Sequence, residues 1–249
     1  MSNSPLVKYT KISPNRTSPR NHEIDTITIH CVVGQCSVET LGNIFEPTSR
    51  QASCNYGVGV DGRIGMYCEE KDRSWCSSSS SNDNRAITIE VASDTTEPYA
   101  VNAKAYAALL DLVTDICKRN NIKELKWKGD KALIGQVDKQ NMTVHRWFAN
   151  KSCPGDYLYN RHGEIAAEVN KRLNASVTPS TPTAPSTSTS YKVKVTADVL
   201  NIRAGAGTNF KINGAIKDKG VYTIVAESNG WGKLKSGAGW ISLAYTTKV

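Results

Sequence analysis

The chain has 249 residues, 39% of them hydrophobic, which suffices for one or two domains with a sizeable core. Its longest apolar runs are far too short for a transmembrane helix. Residues 1–8 contain no apolar stretch followed by a small-residue cleavage site, so no secretory signal is predicted. We therefore expect synthesis in the cytoplasm, with any extracellular role requiring another exit route.

The formal net charge of +8 is spread unevenly. From residue 191 onward there are nine Lys and Arg against three Asp and Glu, whereas the first 190 residues carry 22 against 20. The basic C-terminal part predicts a polyanionic partner, which leaves nucleic acid, a membrane surface and a cell-wall polymer as candidates.

The cysteine count also limits the possibilities. All seven cysteines precede residue 154, and an odd number in a chain without a signal favours reduced thiols over a disulfide framework. Most are expected to be buried as small hydrophobic residues. They are Cys31, Cys36, Cys54, Cys68, Cys76, Cys117 and Cys153.

Strand and turn signals dominate the first third of the chain. The β-rich run 26–31 predicts a strand, and residues 55–67 predict a hairpin that turns on Asp61-Gly62. A Ser-rich polar loop is predicted for 75–84, followed by another strand over 86–91.

Two helices are predicted before residue 174. Residues 103–119 place apolar side chains on one face, and residues 156–173 form a second helix with helical spacing of Leu158, Ile165, Val169 and Leu173. Strands mixed with flanking helices predict an α/β domain over residues 1–174.

Composition changes abruptly after that domain. Residues 175–190 are rich in Ser, Thr and Pro without charge, which predicts a semi-extended linker. Residues 191–249 predict a small β-barrel domain of short strands separated by Gly-rich turns. The predicted strands are 193–195, 199–203, 221–226, 231–235 and 239–243.

The stretch 143–155 contains most of the candidate metal-binding and catalytic side chains. It places His145 eight residues before Cys153, with Lys151 between them and a Pro-Gly step after the sulfur. A helix that begins there is expected to lower the pKa of the thiol and to favour the thiolate. His30, at the end of a predicted strand, would complete two imidazoles and one thiolate, the pattern of catalytic zinc with an open fourth position.

Three motifs carry a family resemblance. Thr26-Ile-Thr-Ile-His30, Thr143-Val-His145 and Lys151-Ser-Cys153-Pro resemble the zinc-dependent N-acetylmuramoyl-L-alanine amidases that share a fold with peptidoglycan recognition proteins. The resemblance covers residues 9–173 and implies a central mixed sheet flanked by helices, with a groove for peptidoglycan. It also implies that His30, His145 and Cys153 hold Zn²⁺.

The same resemblance suggests two catalytic residues. Ile87-Thr-Ile-Glu90 is similar to the family strand Ile-Gly-Ile-Glu, whose glutamate is the general base, and Lys151 takes the place of the cation that stabilises the oxyanion. Without the resemblance, Glu90 would be interpreted as a solvated strand carboxylate and Lys151 as a surface lysine. Some members of the family use a tyrosine as the base, but that position is Cys54 in this chain. Tyr56 is expected to face inward, so Glu90 is favoured as the only base.

Two features depart from the family pattern. Relatives often have Trp-His where this chain has Trp75-Cys76, so substrate contacts of that histidine do not carry over. Cys31 and Cys36, beside His30, could form another soft metal site, but the motifs favour His30, His145 and Cys153. His22 and His162 belong to no motif and are interpreted as structural.

The C-terminal part resembles the bacterial Src-homology-3-type domains attached to wall hydrolases. The similarity lies in Val199-Leu-Asn-Ile-Arg-Ala-Gly-Ala-Gly207, Ser228-Asn-Gly-Trp231 and Gly239-Trp-Ile241. It implies a domain, over residues 191–249, that binds cell-wall peptide or glycan.

The sequence therefore predicts a hydrolase that cleaves the amide between N-acetylmuramic acid and L-alanine with zinc-activated water. Such a protein would be a phage endolysin or an autolysin that reaches the wall after lysis or through a membrane lesion. Two other classes remain open: a recognition protein that binds peptidoglycan without turnover, and a nucleic-acid binder driven by the basic C-terminal part. The peptidoglycan chemotype and the oligomeric state are left open.

Overall fold

The computed structural model of the chain describes residues 2–175, 190–207, 210–228 and 230–249. Contacts between residues divide the chain into two compact units, Met1–Pro179 and Ser180–Val249. Apart from its first and last residues, the predicted linker 175–190 lies outside the described residues.

The first unit is a mixed sheet with helices. In chain order the elements are β1 (Val7–Thr10), β2 (Arg16–Thr17), β3 (Thr26–Cys31), α1 (Val38–Phe45), β4 (Tyr56–Val58), β5 (Ile64–Met66), β6 (Arg73–Ser74), α2 (Ser80–Arg85), β7 (Ala86–Val91), α3 (Ala103–Arg119), β8 (Met142–Thr143), α4 (Gly155–Tyr159) and α5 (His162–Ala175). Among the described residues the main sheet has the strand order β1-β5-β4-β7-β3-β8, in which the β4–β5 pair is antiparallel and the other pairs are parallel, and β2 pairs with β6 in a separate ribbon.

The two central strands divide their side chains between the faces of the sheet. Ile27 and Ile29 of β3 lie with Ile87 and Ile89 of β7 in the main core, together with the apolar faces of α3 and α5. Since neighbouring side chains of a strand point to opposite faces, the alternate residues of these strands face away from this core. His30 and Glu90 are two of them, so one face of the sheet provides the core and the other carries the polar side chains.

Helix α3 has the bounds that its apolar period predicts. Asn102 caps it, since the Asn102 side chain accepts hydrogen bonds from the backbone N–H groups of Lys104 and Ala105. Leu109, Leu112, Val113 and Ile116 are all fully buried. The strands over 26–31 and 86–91 and the hairpin within 55–67 are likewise confirmed.

Two predicted segments differ from the structure. The prediction of a polar loop over 75–84 is wrong in its second half, because α2 begins after Ser79. The Ser79 side chain caps this helix by accepting a hydrogen bond from the N–H of Asn82. The prediction of a single helix over 156–173 is wrong as well, since α4 ends at Tyr159 and α5 begins at His162. The His162 imidazole bonds through Nδ1 to the carbonyl of Leu158 across this break, at 2.7 Å.

In the described residues of the second unit the strands are β9 (Tyr191–Val195), β10 (Leu200–Arg203), β11 (Ile212–Ile216), β12 (Val221–Ser228), β13 (Trp231–Leu234), β14 (Trp240–Ser242) and β15 (Thr246–Lys248). They form one antiparallel sheet with the order β11-β10-β14-β13-β12-β9-β15. Val193, Leu200, Ile224, Leu234 and Ile241 belong to its core. The sequence did not predict β11 or β15.

Two observations concern the whole described part of the chain. All seven cysteines lie within it, and all are free thiols. Among the described residues, none of the helices is both long and apolar enough to cross a membrane.

Candidate metal centre

The parallel pairing of β3 and β7 places two functional side chains next to each other. His30 and Glu90 are register partners near the carboxyl ends of these strands. Neighbouring strands are about 4.8 Å apart, and both side chains leave the same face of the sheet. A fully buried imidazole and a carboxylate therefore share one site, although 60 positions separate them in the sequence.

His145 reaches the same place from the other side of β3. Strand β8 pairs with β3 through Thr143 and Thr28, and the chain then turns in a short 3-10 helix, His145–Trp147. The rings of His30 and His145 lie 5.1 Å apart between centroids. His145 Nε2 is 3.0 Å from Ser78 Oγ, which leaves Nδ1 of His145 for another partner.

Cys153 completes the cluster. Its Sγ lies 3.3 Å from His30 Nδ1, and the ligand atoms of His30, His145 and Cys153 all lie within 4.8 Å of one another. Zinc bonds of about 2.0 Å to nitrogen and 2.3 Å to sulfur, in tetrahedral geometry, require a separation of about 3.5 Å between the nitrogen and the sulfur. The donor set and this spacing therefore fit a zinc ion with one coordination position left for solvent.

Both imidazoles are held in the form that a metal needs. Burial, followed by the charges of His145 and His162, lowers the pKa of His30 to about 3. Burial and the nearby Lys151 lower the pKa of His145 too. Metal ligands must carry a free lone pair, so both rings are available at neutral pH.

The expectation for the pKa of Cys153 is wrong. A hydrogen bond with the Cys31 thiol, and then burial, raise the pKa of Cys153 well above its ordinary value. Helix α4 has only five residues, and its first turn does not outweigh these two effects. A coordinating metal deprotonates a thiol directly, so the thiolate would depend on the ion and not on the helix.

Glu90 is a carboxylate with an unusual environment. Burial raises its pKa to about 7, against a smaller opposite effect of the positive charge of Arg50. A carboxyl group that is half protonated near neutral pH is suited to both accept and return a proton. Tyr56 is fully buried and donates its hydroxyl to Glu70, as expected for an inward-facing residue.

Lys151 is exposed in the loop that precedes Cys153. Its positive charge contributes, after burial, to the lowered pKa of His145. His162 is fully buried and bonded to the backbone of α4, whereas His22 is exposed and bonded to the carbonyl of Glu23.

Sequence reasoning missed two residues around the cluster. Ser78 contacts His145, and the thiol of Cys76 lies 4.0 Å from Glu90 Oε1. Both belong to the segment predicted as a polar loop, and nothing in its Ser-rich composition points to a particular contact. The Trp75-Cys76 departure from the family pattern was the only signal that could have drawn attention to this segment.

On the polar face of the mixed sheet, two imidazoles and a thiol converge beside a carboxylate. This arrangement is typical of metal-dependent hydrolases. Residues 20–156 match the family model described as N-acetylmuramoyl-L-alanine amidase. This match covers more than half of the chain, and the chain belongs to this family of peptidoglycan amidases. No match was found among curated proteins.

Two endolysins are among the solved structures that resemble part of this chain. A mutant endolysin from Bacillus subtilis is 18% identical, with a TM-score of 0.49, over 66% of this chain and 99% of that one. The endolysin N-acetylmuramoyl-L-alanine amidase LysCS from Clostridium intestinale is also 18% identical, with a TM-score of 0.48, over 68% of this chain and 99% of that one.

Proposed function

We propose that this protein hydrolyses the amide bond between N-acetylmuramic acid and L-alanine in peptidoglycan, with zinc as its metal. His30, His145 and Cys153 would hold the ion. The observation that carries the proposal is the convergence of these three ligand atoms within 4.8 Å of one another. When bound, zinc supplies a water of lowered pKa and polarises the scissile carbonyl.

The ligands are oriented before any ion binds. His30 is fixed by its strand and by full burial, and Ser78 holds the ring of His145 through Nε2. A hydrogen bond to the second nitrogen of a ligating imidazole fixes both its tautomer and its orientation. Most of the ligand geometry is therefore set by the fold.

Glu90 is proposed as the general base and acid. Its carboxylate would accept a proton from the attacking water and return it to the amine of the leaving L-alanine. A pKa of about 7 suits both steps at neutral pH. The register pairing with His30 places this carboxylate beside the ligand cluster.

Lys151 is proposed to stabilise the negative charge that develops on the carbonyl oxygen. The side chain is exposed and its charge is felt at His145, so it can approach a substrate that lies over the cluster. A preorganised donor of this kind contributes roughly 3–4 kcal/mol to the transition state.

The C-terminal unit is proposed to be a Src-homology-3-type domain that binds the cell wall. Its support is the all-β fold, the motif from Val199 to Gly207 and the basic charge of this part of the chain. A tethered wall-binding domain raises the effective concentration of the amidase unit at its substrate. The protein would act as an endolysin or autolysin once lysis or a membrane lesion gives it access to the wall.

The decisive experiment uses isolated cell walls and the purified full chain. We expect free L-alanine N-termini to accumulate while the number of reducing sugar ends stays constant. New reducing ends without new N-termini would indicate a glycosidase and contradict the proposal. Wall binding with neither product would instead identify a recognition protein without turnover.

A further inference from the structure

A second set of ligand atoms lies beside the first and includes a thiol that the proposed mechanism does not use. His30, Cys76 and Glu90 have ligand atoms that all lie within 4.8 Å of one another. Cys76 Sγ is 4.0 Å from Glu90 Oε1 and donates to it. His30 belongs to both sets, so the two candidate positions adjoin each other.

The second set is held in place by the fold. His30 and Glu90 are register partners on β3 and β7. Cys76 is positioned by Asp83, a nearly fully buried carboxylate that accepts hydrogen bonds from the N–H groups of Cys76, at 2.9 Å, and of Ser77, at 3.2 Å. The three groups therefore meet without a rearrangement of the backbone.

Two atoms of this set are left without hydrogen-bond partners. His30 Nε2 and Glu90 Oε2 are both buried, and neither has a partner in the described part of the chain. A buried polar atom without a partner is costly, and coordination of a single cation would satisfy both atoms at once. His30 is completely buried, so bulk solvent does not satisfy its ring.

We propose that His30, Cys76 and Glu90 form a second, inhibitory position for a borderline or soft divalent ion such as Zn²⁺ or Cd²⁺. A thiolate and an imidazole select ions of this class, whereas Mg²⁺ and Ca²⁺ require oxygen ligands. Binding forms bonds from the ion to the sulfur of Cys76 and to Nε2 of His30, and it releases to solvent the thiol proton of Cys76 and the remaining ring proton of His30, which then bridges the two ions as an imidazolate. No oxidation takes place.

Inhibition follows from the identity of the third ligand. An ion that coordinates Glu90 occupies the carboxylate that is proposed to accept the proton of the attacking water. Excess zinc would therefore slow the reaction that the first equivalent supports. This consequence rests on the proposed function, whereas the existence of the second position does not.

The test is a Cd²⁺ titration of the full chain, with bound metal measured after equilibrium dialysis and thiolate-to-metal absorption recorded in the ultraviolet. Wild type should bind two ions, the second adding the absorption of one more thiolate. Cys76→Ser should bind the second ion at least about 100-fold more weakly, because losing a direct ligand costs more than losing an outer contact. Cys36→Ser is the matched control, a partly exposed thiol outside both ligand sets, and should behave as wild type.

A second measurement needs no variant. Excess zinc should protect Cys76 from alkylation in the wild-type chain, as read by peptide mass mapping, beyond any protection given by one equivalent. A single bound ion at saturation, an undiminished second ion in Cys76→Ser, or unprotected Cys76 would each overturn the inference.

A measurement of hydrolysis in excess Zn²⁺ distinguishes the inhibitory second position from the proposed function. Excess Zn²⁺ should slow release of L-alanine N-termini in wild type and in Cys36→Ser, but not in Cys76→Ser. If one equivalent of zinc supports no hydrolysis at all, the proposed function fails while the second position can still be counted by dialysis.

Discussion

His30 and Glu90 face each other directly across the parallel pair β3–β7, in the same register. One strand thus contributes a candidate metal ligand and its neighbour a candidate proton acceptor. The arrangement makes the distance between ligand and base a property of the sheet, and not of a mobile loop. Loss of either side chain can therefore be tested with little disturbance of the backbone.

Glu90→Gln should lower the rate of wall hydrolysis by about 10²–10⁴-fold while the zinc bound at one equivalent stays at the wild-type level. The amide keeps the size of the side chain but accepts no proton. Initial rates of N-terminus release, with metal analysis of the same samples, check this. Glu124→Gln, an exposed carboxylate far from the ligands in sequence, is the control; equal rates in all three proteins would remove Glu90 from the mechanism.

The same substitution should stabilise the metal-free protein at alkaline pH. Burial raises the pKa of Glu90 to about 7 from an ordinary value of 4.5, so its favourable contribution is complete below pH 4.5 and is lost as the pH rises through 7. Above that pH, Glu90→Gln should unfold with a free energy up to about 3 kcal/mol larger than wild type. Urea unfolding of the first unit at pH 5 and pH 8, in the presence of a chelator, measures the difference. A larger free energy of unfolding for Glu90→Gln at pH 5 but not at pH 8 would contradict the raised pKa of Glu90.

Local patterns predicted much of this fold because the segments concerned carry their own periodic signal. The helix Ala103–Arg119 and the strand Thr26–Cys31 were identified with their observed bounds. The break between α4 and α5 depends on His162 reaching the carbonyl of Leu158, and α2 depends on the cap by Ser79. Neither contact alters the spacing of apolar residues in the sequence, so that spacing could not predict the break or the start of α2.

In the candidate site, too, the sequence predicted some features and missed those that depend on contacts between distant residues. Motif resemblance identified the residues that converge, but it could not give their surroundings. The contact of Ser78 with His145 joins residues 67 positions apart, and the hydrogen bond between the thiols of Cys31 and Cys153 raises the pKa of Cys153, where the sequence predicted a lowered one. Such effects depend on which side chains meet across the sheet, and a single sequence does not contain that information.

Ser78→Ala should weaken zinc binding by about 10–100-fold without abolishing it. The substitution removes the partner of His145 Nε2 and leaves the ring free to turn away from the ion. Competition with a chelator of known affinity measures the change, with Ser81→Ala as a control in the same segment. An unchanged zinc affinity would show that the ring is held by packing alone.

Lys151→Met should reduce the rate of hydrolysis by about 10²–10³-fold, the typical effect of removing one oxyanion donor. The metal content should not change, because Lys151 is not among the clustered ligand atoms. Lys151→Arg, which keeps the positive charge, should recover part of the rate, whereas Lys131→Met should equal wild type. If Lys151→Met changes only KM, the lysine binds substrate in its ground state and does not act on the transition state.

His162 should make the metal-free protein sensitive to mild acid. Burial lowers the pKa of His162 to about 4 from an ordinary 6.5, so its contribution to stability is complete above pH 6.5 and is lost as the pH falls towards 4. Over that range the free energy of unfolding should fall by about 3 kcal/mol more in wild type than in His162→Gln. Urea unfolding can be followed by tryptophan fluorescence, to which Trp127 contributes with its ring centroid 4.5 Å from that of His162, and His22→Gln is the control for replacing an imidazole. Parallel pH profiles for wild type and His162→Gln would show that this imidazole is not the group that titrates.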